Sequence, residues 1–273
     1  MKHAFLIIAH HEPELLRTLV TLIDHPDSDI YIHIDQKSDM NLFRDITAGQ
    51  SRVEFIQDRI NVRWGHYSQI LTEMKLFEAA HSKGQYSYYH LLSGTDLPLK
   101  PIGTILKWFE ENDGHEYLGA HPAPKKFQNR MHRRYFFITR KRNIATSAIL
   151  GLEKILGLKW NSGTEVWMSS NWGSFTHGYV SHILSNKTWI EKHFKYSFCG
   201  DELYKSTLMH NLGLEKNDRG SVLYVDWEKG NPYTFQDEDY DELIKSDKMF
   251  ARKFSIKHKS LINKMTEHLK NHV

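Results

Sequence analysis

Two adjacent carboxylates are the first candidates for chemistry in this sequence. Asp201 and Glu202 follow Cys199-Gly200 and open an apolar-periodic stretch that predicts a helix over 201–211. One interpretation is helix capping, with Asp201 at the N-cap and Glu202 stabilised by the helix dipole. The other makes Glu202 a general base that its neighbours hold at a helix start. The local sequence favours capping and leaves both interpretations open.

Positive charge that could stabilise a phosphate group occurs in two segments. Phe250–Phe254 sets Arg252 and Lys253 between aromatic residues, which suggests a fixed geometry, with a charge pair on a helix face as the alternative. The second segment, here called the basic strip, is Lys125–Arg142, with eight Lys or Arg, no acid and several aromatic residues. Three interpretations of the strip stay open: an RNA-binding surface, a membrane-surface patch, or a loop over an anionic substrate.

The sequence offers little to a metal ion. The strand end that would present Asp-x-Asp to a divalent cation carries Ser93-Gly94-Thr95-Asp96, with one carboxylate. A single carboxylate is a poor site for Mg²⁺ or Mn²⁺. We therefore predict no metal and no other cofactor, so that Lys or Arg would neutralise any bound diphosphate.

Composition excludes several classes of protein. Across 273 residues, 40% hydrophobic and 25% charged side chains are typical of a globular chain and not of a disordered or fibrous one. A net charge of +3 is too small for whole-chain binding to nucleic acid. The single cysteine excludes a disulfide framework and indicates a reducing compartment. The apolar run Ala4–Ala9 is too short for a signal peptide, and no run approaches the roughly 20 apolar residues of a membrane span.

Strands and helices alternate in the first half of the chain, and they would position these residues. The predicted strands are Phe5–Ala9, Ile30–Ile34, Val53–Ile56, Tyr86–Leu92 and Glu116–Gly119, and the predicted helices are Glu12–Asp24, Ser68–His81 and Ile102–Asn112. This alternation predicts an α/β protein with a mostly parallel sheet. Ligands of such sheets bind beyond the carboxyl ends of the strands, where His10, Asp35 and Ser93–Asp96 fall.

The alternation ends after about residue 120. Helical stretches follow, with a strand at Val222–Trp227 and a helical tail from Asp239 that becomes basic. No linker separates the two parts of the chain. We therefore predict one domain over 1–273, with a nucleotide at the strand ends of its first part, about 1–120.

Segments in a fixed order resemble one protein family. They are Ile7–Pro13 with Tyr31–Lys37, Val62–Ser68, His90–Leu99, Cys199–Glu202 with Thr207-Leu208, and Tyr224–Trp227 with Phe250–Phe254. Together they are similar to the core-2/I-branching β-1,6-N-acetylglucosaminyltransferase and peptide O-xylosyltransferase family, glycosyltransferase family 14. The resemblance implies a GT-A fold, in which a Rossmann-like nucleotide-binding half, about 1–120, is fused to an acceptor-binding, catalytic half, about 121–273. It further implies a UDP-sugar donor, inversion at the anomeric carbon and independence of metal.

The resemblance also implies roles for individual residues. Glu202 would be the catalytic base. The donor-binding residues would be His10, Asp35, Trp64, Gly65, Ser93, Gly94, Asp96, Arg252 and Lys253, the last two at the diphosphate. The acceptor-binding residues would be Ser170, Trp172 and Asp201. The sequence departs from the family pattern at Ser169, where the family has Gly, and at Gly200, where it has Pro.

The candidate residues and the resemblance together predict an inverting, metal-independent glycosyltransferase of bacterial surface polysaccharide synthesis. The donor would be UDP-GlcNAc first and UDP-xylose second, and the acceptor a hydroxyl of a glycan or lipid-linked glycan. The lack of the eukaryotic members' anchor, stem and cysteines predicts a cytoplasmic enzyme. Its basic residues 245–273 could dock peripherally on the anionic inner face of the plasma membrane. No nucleic-acid partner is expected, although a catalytically idle module that binds RNA or anionic lipid through the basic strip is the alternative.

Overall fold

The computed structural model describes residues 2–138, 144–228 and 232–271. The strands in these ranges are β1 His3–Ala9, β2 Ser28–Ile34, β3 Arg52–Phe55, β4 Tyr88–Ser93, β5 Leu97–Pro98, β6 His121–Pro122, β7 Trp167–Met168, β8 Gly173–Thr176, β9 Leu223–Val225 and β10 Phe250–Arg252. The α-helices are α1 Pro13–Leu22, α2 Ser68–His81, α3 Ile102–Glu111, α4 Lys125–His132, α5 Ile144–Ile155, α6 His177–Ser185, α7 Lys187–Phe194, α8 Tyr204–Asn211, α9 Tyr240–Lys245 and α10 Lys259–Asn271. No helix in the described ranges is long and apolar enough to cross a bilayer.

A five-stranded sheet in the order β3-β2-β1-β4-β8 lies at the centre of the protein. The first four strands are parallel, and β8 pairs with β4 in the antiparallel sense. β1 is buried on both faces, which explains why its sequence is a nearly continuous apolar run. β2 is equally buried, although it includes Ser28, Asp29 and His33. The predicted α/β class with a mostly parallel sheet is confirmed.

Helices cover both faces of this sheet and form two apolar clusters. Because successive side chains of a strand point to opposite faces, β1 contributes Phe5 and Ile7 to one cluster and Ala4 and Leu6 to the other. The first cluster includes α1, α3 and α10, and the second includes α2, α6, α7 and α8. The apolar face of α10, which is Leu261, Ile262, Met265 and Leu269, is therefore inside the protein.

The predicted strand at Glu116–Gly119 is wrong. Glu116 and Tyr117 make isolated bridges, and the N–H groups of the next three residues donate to the carboxylate of Asp218 instead of to a strand. Gly119 has a positive φ of 75°, which also ends an extended run. A side-chain acceptor far along the chain thus replaces the expected ladder.

β10 was not predicted, because three residues carry too little periodicity to reveal a strand. It lies between β5 and β9 in a second sheet, parallel to β9 and antiparallel to β5. This pairing brings Arg252, the last residue of β10, beside the turn that follows β4.

Part of the histidine content belongs to the core. His3 Nδ1 lies 2.9 Å from His90 Nε2, and His90 Nδ1 lies 2.8 Å from Ser174 Oγ. Burial lowers the pKa of His3 and of His33 to about 4 in each case, so both imidazoles are neutral at neutral pH. These histidines are structural groups of the sheet.

Substitution of Gly94 tests how tightly the end of β4 packs on β1. A Cβ atom at this position would lie 2.6 Å from Cβ of Ala9, whereas a Cβ at Gly103, in α3, would meet nothing within 4 Å. We expect Gly94→Ala to lower the free energy of unfolding by about 1–3 kcal/mol through overpacking. Gly103→Ala, the matched control, should raise it by roughly 0.5–1 kcal/mol. Urea unfolding of both variants measures the two effects, and equal stability of the pair would contradict the close approach.

Candidate active site

A cavity of about 710 Å³ opens at the carboxyl ends of β1, β2 and β4. Its lining residues are Ile8, His10, Asp35, Lys37, Ser38, Val62, Arg63, Trp64, Gln69, Thr72, Ser93, Ile138, Asn171, Trp172 and Arg252. Pockets for small ligands usually measure about 300–1,000 Å³. Three cations against one carboxylate give the lining a net positive charge, which suits an anionic ligand.

Asp35 fixes one wall of the cavity. Its N–H donates to the carbonyl of Ala9 at 2.9 Å and so ties the ends of β1 and β2 together. Its carboxylate accepts from the N–H of Lys37 at 2.9 Å and lies 3.2 Å from Lys37 Nζ. Asp35 is therefore an oriented, almost buried acceptor, with an exposed ammonium group beside it.

His10 lies beside Asp35 at the end of β1. Its ring meets the ring of His11 edge-on at a centroid distance of 4.1 Å. Desolvation lowers the pKa of His10, and the neighbouring His11 and Lys253 lower it further, although Asp35 acts in the opposite direction. A neutral imidazole at this position can both donate and accept a hydrogen bond.

Arg252 is the best-oriented cation of the cavity. Its guanidinium lies over the ring of Trp172, 4.7 Å from the centroid, and its Nε is 3.8 Å from Oδ1 of the buried Asp96. Asp96 is in turn held by the N–H of Ser93, which donates to Oδ2 at 2.8 Å. Burial raises the pKa of Asp96 to about 6, opposed chiefly by Arg252. An aromatic face and a buried carboxyl therefore hold the guanidinium at the cavity wall.

The turn that carries Glu202 is bonded to both loops that flank the cavity. The N–H of Cys199 donates to the carbonyl of Gly65 at 2.9 Å, next to Trp64. The carbonyl of Glu202 accepts from the N–H of Ser169 at 3.0 Å, at the start of the loop that carries Trp172. Glu202 therefore lies between the loop of Trp64 and the loop of Trp172.

Arg130, from α4, pairs with the Glu202 carboxylate. Nη1 of Arg130 donates to Oε2 of Glu202, and the guanidinium lies over the ring of Phe127 at 4.4 Å. The Glu202 side chain remains 37% exposed, and Oε1 is the oxygen that could take a proton from a substrate. This residue of the basic strip thus contacts the predicted base, a role for which the strip's composition gave no signal.

The turn makes no helix cap of the predicted kind. A short 3₁₀ segment, Gly200–Glu202, precedes α8, and neither element has a side-chain cap. Asp201 instead accepts from Nε2 of Gln69 at 2.8 Å. The capping interpretation of Asp201 is wrong, because its carboxylate faces α2 and not the first turn of α8.

A buried ion pair lies under this turn. Lys205 and Glu73 have no solvent exposure, and Nζ of Lys205 is 2.6 Å from Oε2 of Glu73. The same ammonium donates to Oδ1 of Asn171 at 3.0 Å and to the carbonyl of Asp201 at 3.1 Å. Burial raises the pKa of Asp201 to about 7, and the nearby charges of Glu73 and Glu202 add to this effect.

Six predicted site residues line the cavity: His10, Asp35, Trp64, Ser93, Trp172 and Arg252. Ser170 lies beside the lining residue Asn171, and its Oγ accepts from the N–H of Trp172 at 3.3 Å. Gly94, Asp96 and Asp201 are buried behind the wall. Lys253 follows Arg252, and its charge reaches both histidines at the end of β1. The binding roles of these residues stay predictions.

Sequence reasoning missed Gln69, Lys37 and Arg63 as cavity residues. No signal in the sequence was available for Gln69. Gln69 and Glu73 are four residues apart and so share one face of α2, but polar residues on one face of a helix are also typical of a solvent-exposed face.

No three His, Cys, Asp or Glu side chains in the described ranges form a group that could hold a metal ion. Metal independence stays a prediction. The arrangement combines a positively charged cavity, which has aromatic faces at Trp64 and Trp172, with the carboxylate of Glu202 on a turn that is bonded to both of their loops. Such a set can bind an anion and accept a proton from a ligand nearby.

A model of the Core-2/I-branching enzyme family matches residues 3–247, nearly the whole chain. The chain belongs to the Core-2/I-branching enzyme family. The resemblance that the ordered segments indicated is therefore confirmed, and the family together with the parallel sheet confirms the predicted GT-A fold. The matched residues are therefore a glycosyltransferase domain.

One similar curated protein is Xylosyltransferase oxt of Drosophila pseudoobscura pseudoobscura, 21% identical over 260 residues. The match covers 84% of this Core-2/I-branching chain and only 28% of that protein. Among solved structures, mouse xyloside xylosyltransferase 1 in its apo form is 9% identical with a TM-score of 0.39, covering 92% of this chain and 96% of that one. CMP:2-keto-3-deoxy-manno-octonic acid synthetase complexed with CTP is 11% identical with a TM-score of 0.36, covering 81% and 89%.

The buried ion pair between Glu73 and Lys205 can be tested by its effect on stability. Lys205→Met leaves the Glu73 carboxylate buried without its counter-charge, so the free energy of unfolding should fall by about 3–5 kcal/mol. The double variant Glu73→Leu/Lys205→Met removes both charges and should recover part of that loss. Urea unfolding of the two single variants and the double variant measures the coupling. Strictly additive losses would show that the pair does not stabilise the turn as a unit.

Proposed function

We propose that the protein is an inverting glycosyltransferase that moves a sugar from a UDP-sugar to a hydroxyl of a glycan acceptor. The observation that carries the proposal is the position of Glu202, held by hydrogen bonds to both loops beside a positively charged cavity at the strand ends. Family membership supports the reaction class. GlcNAc is the first candidate for the transferred sugar and xylose the second, the latter in keeping with the name of the Drosophila relative.

Glu202 is the catalytic base in this proposal. Its free oxygen, Oε1, takes the proton of the acceptor hydroxyl while that oxygen attacks the anomeric carbon. The attack comes from the face opposite the diphosphate, so the configuration inverts. Because Arg130 holds Oε2 at the protein side, the carboxylate presents one oxygen in a fixed direction.

Arg252 and Lys253 are the groups that stabilise the leaving diphosphate. As the bond from the anomeric carbon to the phosphate oxygen breaks, its electron pair goes to that oxygen and negative charge develops there. Arg252 is fixed by Trp172 and Asp96, so little reorganisation is needed to meet this charge. These two cations would take the part that a metal ion plays elsewhere.

The strand ends would hold the nucleoside and the sugar. Asp35 offers an oriented acceptor for hydroxyl or N–H groups of the uridine, and His10, Ser93 and Trp64 complete that wall. On the other side, Trp172 with Ser170 would form the acceptor wall, because an indole face packs well on a sugar ring. Asp201 would reach the acceptor only through Gln69, to which it is bonded.

The biological setting is also a proposal. We place the enzyme in the cytoplasm of a bacterium, where it adds a branch to a surface polysaccharide precursor. A lipid-linked acceptor would bring it to the inner face of the plasma membrane. The chain spans 28% of the Drosophila relative, so that protein's full activity is not carried over.

Substitution of Glu202 tests the base assignment. Glu202→Gln keeps the shape of the side chain and removes the proton acceptor, so kcat should fall about 10²–10⁴-fold. The matched control is Glu191→Gln, which changes an exposed carboxylate of α7 that pairs with Lys195. Release of UDP from a UDP-sugar in the presence of acceptor measures the rate. Full activity of Glu202→Gln would contradict the assignment of Glu202 as the base.

The same experiment separates the enzyme from a catalytically idle module. An idle module would show no turnover with any UDP-sugar and salt-sensitive binding to RNA through the basic strip. The pairing of Arg130 with Glu202 speaks for the enzyme, because it commits a cation of the strip to the predicted base.

Chelation and substitution together test how the leaving group is stabilised. Turnover should be unchanged in excess EDTA, whereas Arg252→Met should lower kcat about 10²–10³-fold because a fixed positive charge is lost. Arg17→Met is the control, since Arg17 pairs on the surface with Asp45. Loss of activity in EDTA that Mg²⁺ or Mn²⁺ restores would overturn metal independence and leave the base assignment standing.

A further inference from the structure

The segment from residue 136, within the basic strip, to residue 158 exposes an unusual amount of apolar surface. Seven of the thirteen large exposed hydrophobic residues in the described ranges fall between 136 and 158. They form what is here called the apolar surface: Phe136, Phe137, Ile144, Leu152, Ile155, Leu156 and Leu158. Ile144 and Ile155, at the two ends of α5, are 87% and 83% exposed. A helix that packs on its own protein does not leave such side chains in water.

The polarity of α5 is reversed relative to the other long helices. Its buried residue is Glu153, whose Oε1 accepts from Nε1 of Trp160 at 2.8 Å, while Ile144, Leu152 and Ile155 face outward. In α10 the apolar residues are buried instead. The environment that α5 fits is therefore apolar on its outer side.

The charge of the residues around α5 indicates which apolar environment this helix fits. Residues 125–160 contain ten Lys or Arg and a single acid, Glu153, which is buried. Exposed lysines precede the apolar surface in sequence at positions 125 and 126, interrupt it at 154 and follow it at 159. Exposed aliphatic side chains flanked by cations, without accessible carboxylates, are the combination that binds an anionic lipid surface.

We infer that this apolar surface is a membrane-docking site, which inserts into the interfacial region of a bilayer rich in anionic lipid. RNA fits the site less well, because five of its seven residues are isoleucine or leucine, which neither stack on bases nor contact phosphates. A second copy of the chain also fits less well, since a symmetric contact here would bring two strongly cationic segments face to face.

Docking here would orient the candidate active site. Ile138, next to Phe137, lines the cavity, and Arg130 of the same strip binds Glu202. The docked face and the cavity are thus neighbours in the chain, so docking would hold the cavity close to the headgroups, where a lipid-linked acceptor lies. This orientation rests on the proposed function, whereas the docking itself does not.

Vesicle flotation tests the inference with the full chain. The wild type should float with phosphatidylcholine vesicles that contain about 30% phosphatidylglycerol and much less with pure phosphatidylcholine. Leu152→Ser/Ile155→Ser keeps every charge and should lower binding to the anionic vesicles roughly tenfold or more, because two aliphatic side chains no longer leave water. Leu42→Ser, at an equally exposed leucine outside the segment, is the matched control and should bind as the wild type does.

Several results would overturn the docking site. One is equal flotation of the wild type and Leu152→Ser/Ile155→Ser, which would leave only charge to explain binding. Another is a wild-type dimer by light scattering that this variant breaks, which would make the surface an interface between copies. Binding to RNA without binding to vesicles would also exclude it. Both substituted side chains are exposed, so an unchanged thermal unfolding curve is expected, and turnover of a soluble UDP-sugar should persist even if docking fails.

Discussion

The ion pair between Glu73 and Lys205 is the constraint on which the candidate site depends. Glu73 belongs to α2 in the first part of the chain, and Lys205 belongs to α8 in the second. One ammonium binds the Glu73 carboxylate, the side chain of Asn171 and the carbonyl of Asp201. Burying these charges costs free energy, and such a pair is not in itself evidence of high stability. Its effect is geometric: it fixes the helix, the Trp172 loop and the turn of Glu202 against one another.

Much of the fold could be predicted from the sequence, and the reason is local. Ser68–His81 has the predicted bounds because apolar periodicity and helix length agree there, and β1 is an apolar run because both faces of the parallel sheet are covered. Elements that depend on contacts between residues distant in sequence were not predicted correctly. Asp218 takes the N–H groups after Glu116 and prevents a strand, and β10 exists only because β5 and β9 flank it.

The candidate site divides in the same way. Residues at strand ends, such as His10 and Asp35, were predictable because topology alone brings them together. Arg252 was suggested by the aromatic residues around it in the sequence. Its contacts with Trp172 and Asp96 join residues distant in sequence and could not be predicted. Arg130 could not be singled out among the cations of the basic strip, because its partner lies 72 residues further along. Gly200, where the family has Pro, is explained by packing, since a Cβ there would collide with Oγ of Ser197.

Cys199 gives the molecule a practical property. The thiol is buried, and its pKa is raised to about 12, by burial first and then by Asp201 and Glu202. At neutral pH almost none of it is thiolate, the form that reacts with alkylating reagents and oxidants. Since the sequence has one cysteine and that cysteine is buried, the wild-type surface carries no reactive thiol. A cysteine placed at any exposed position can therefore carry a fluorophore or spin label alone, without first removing the native thiol beside Glu202.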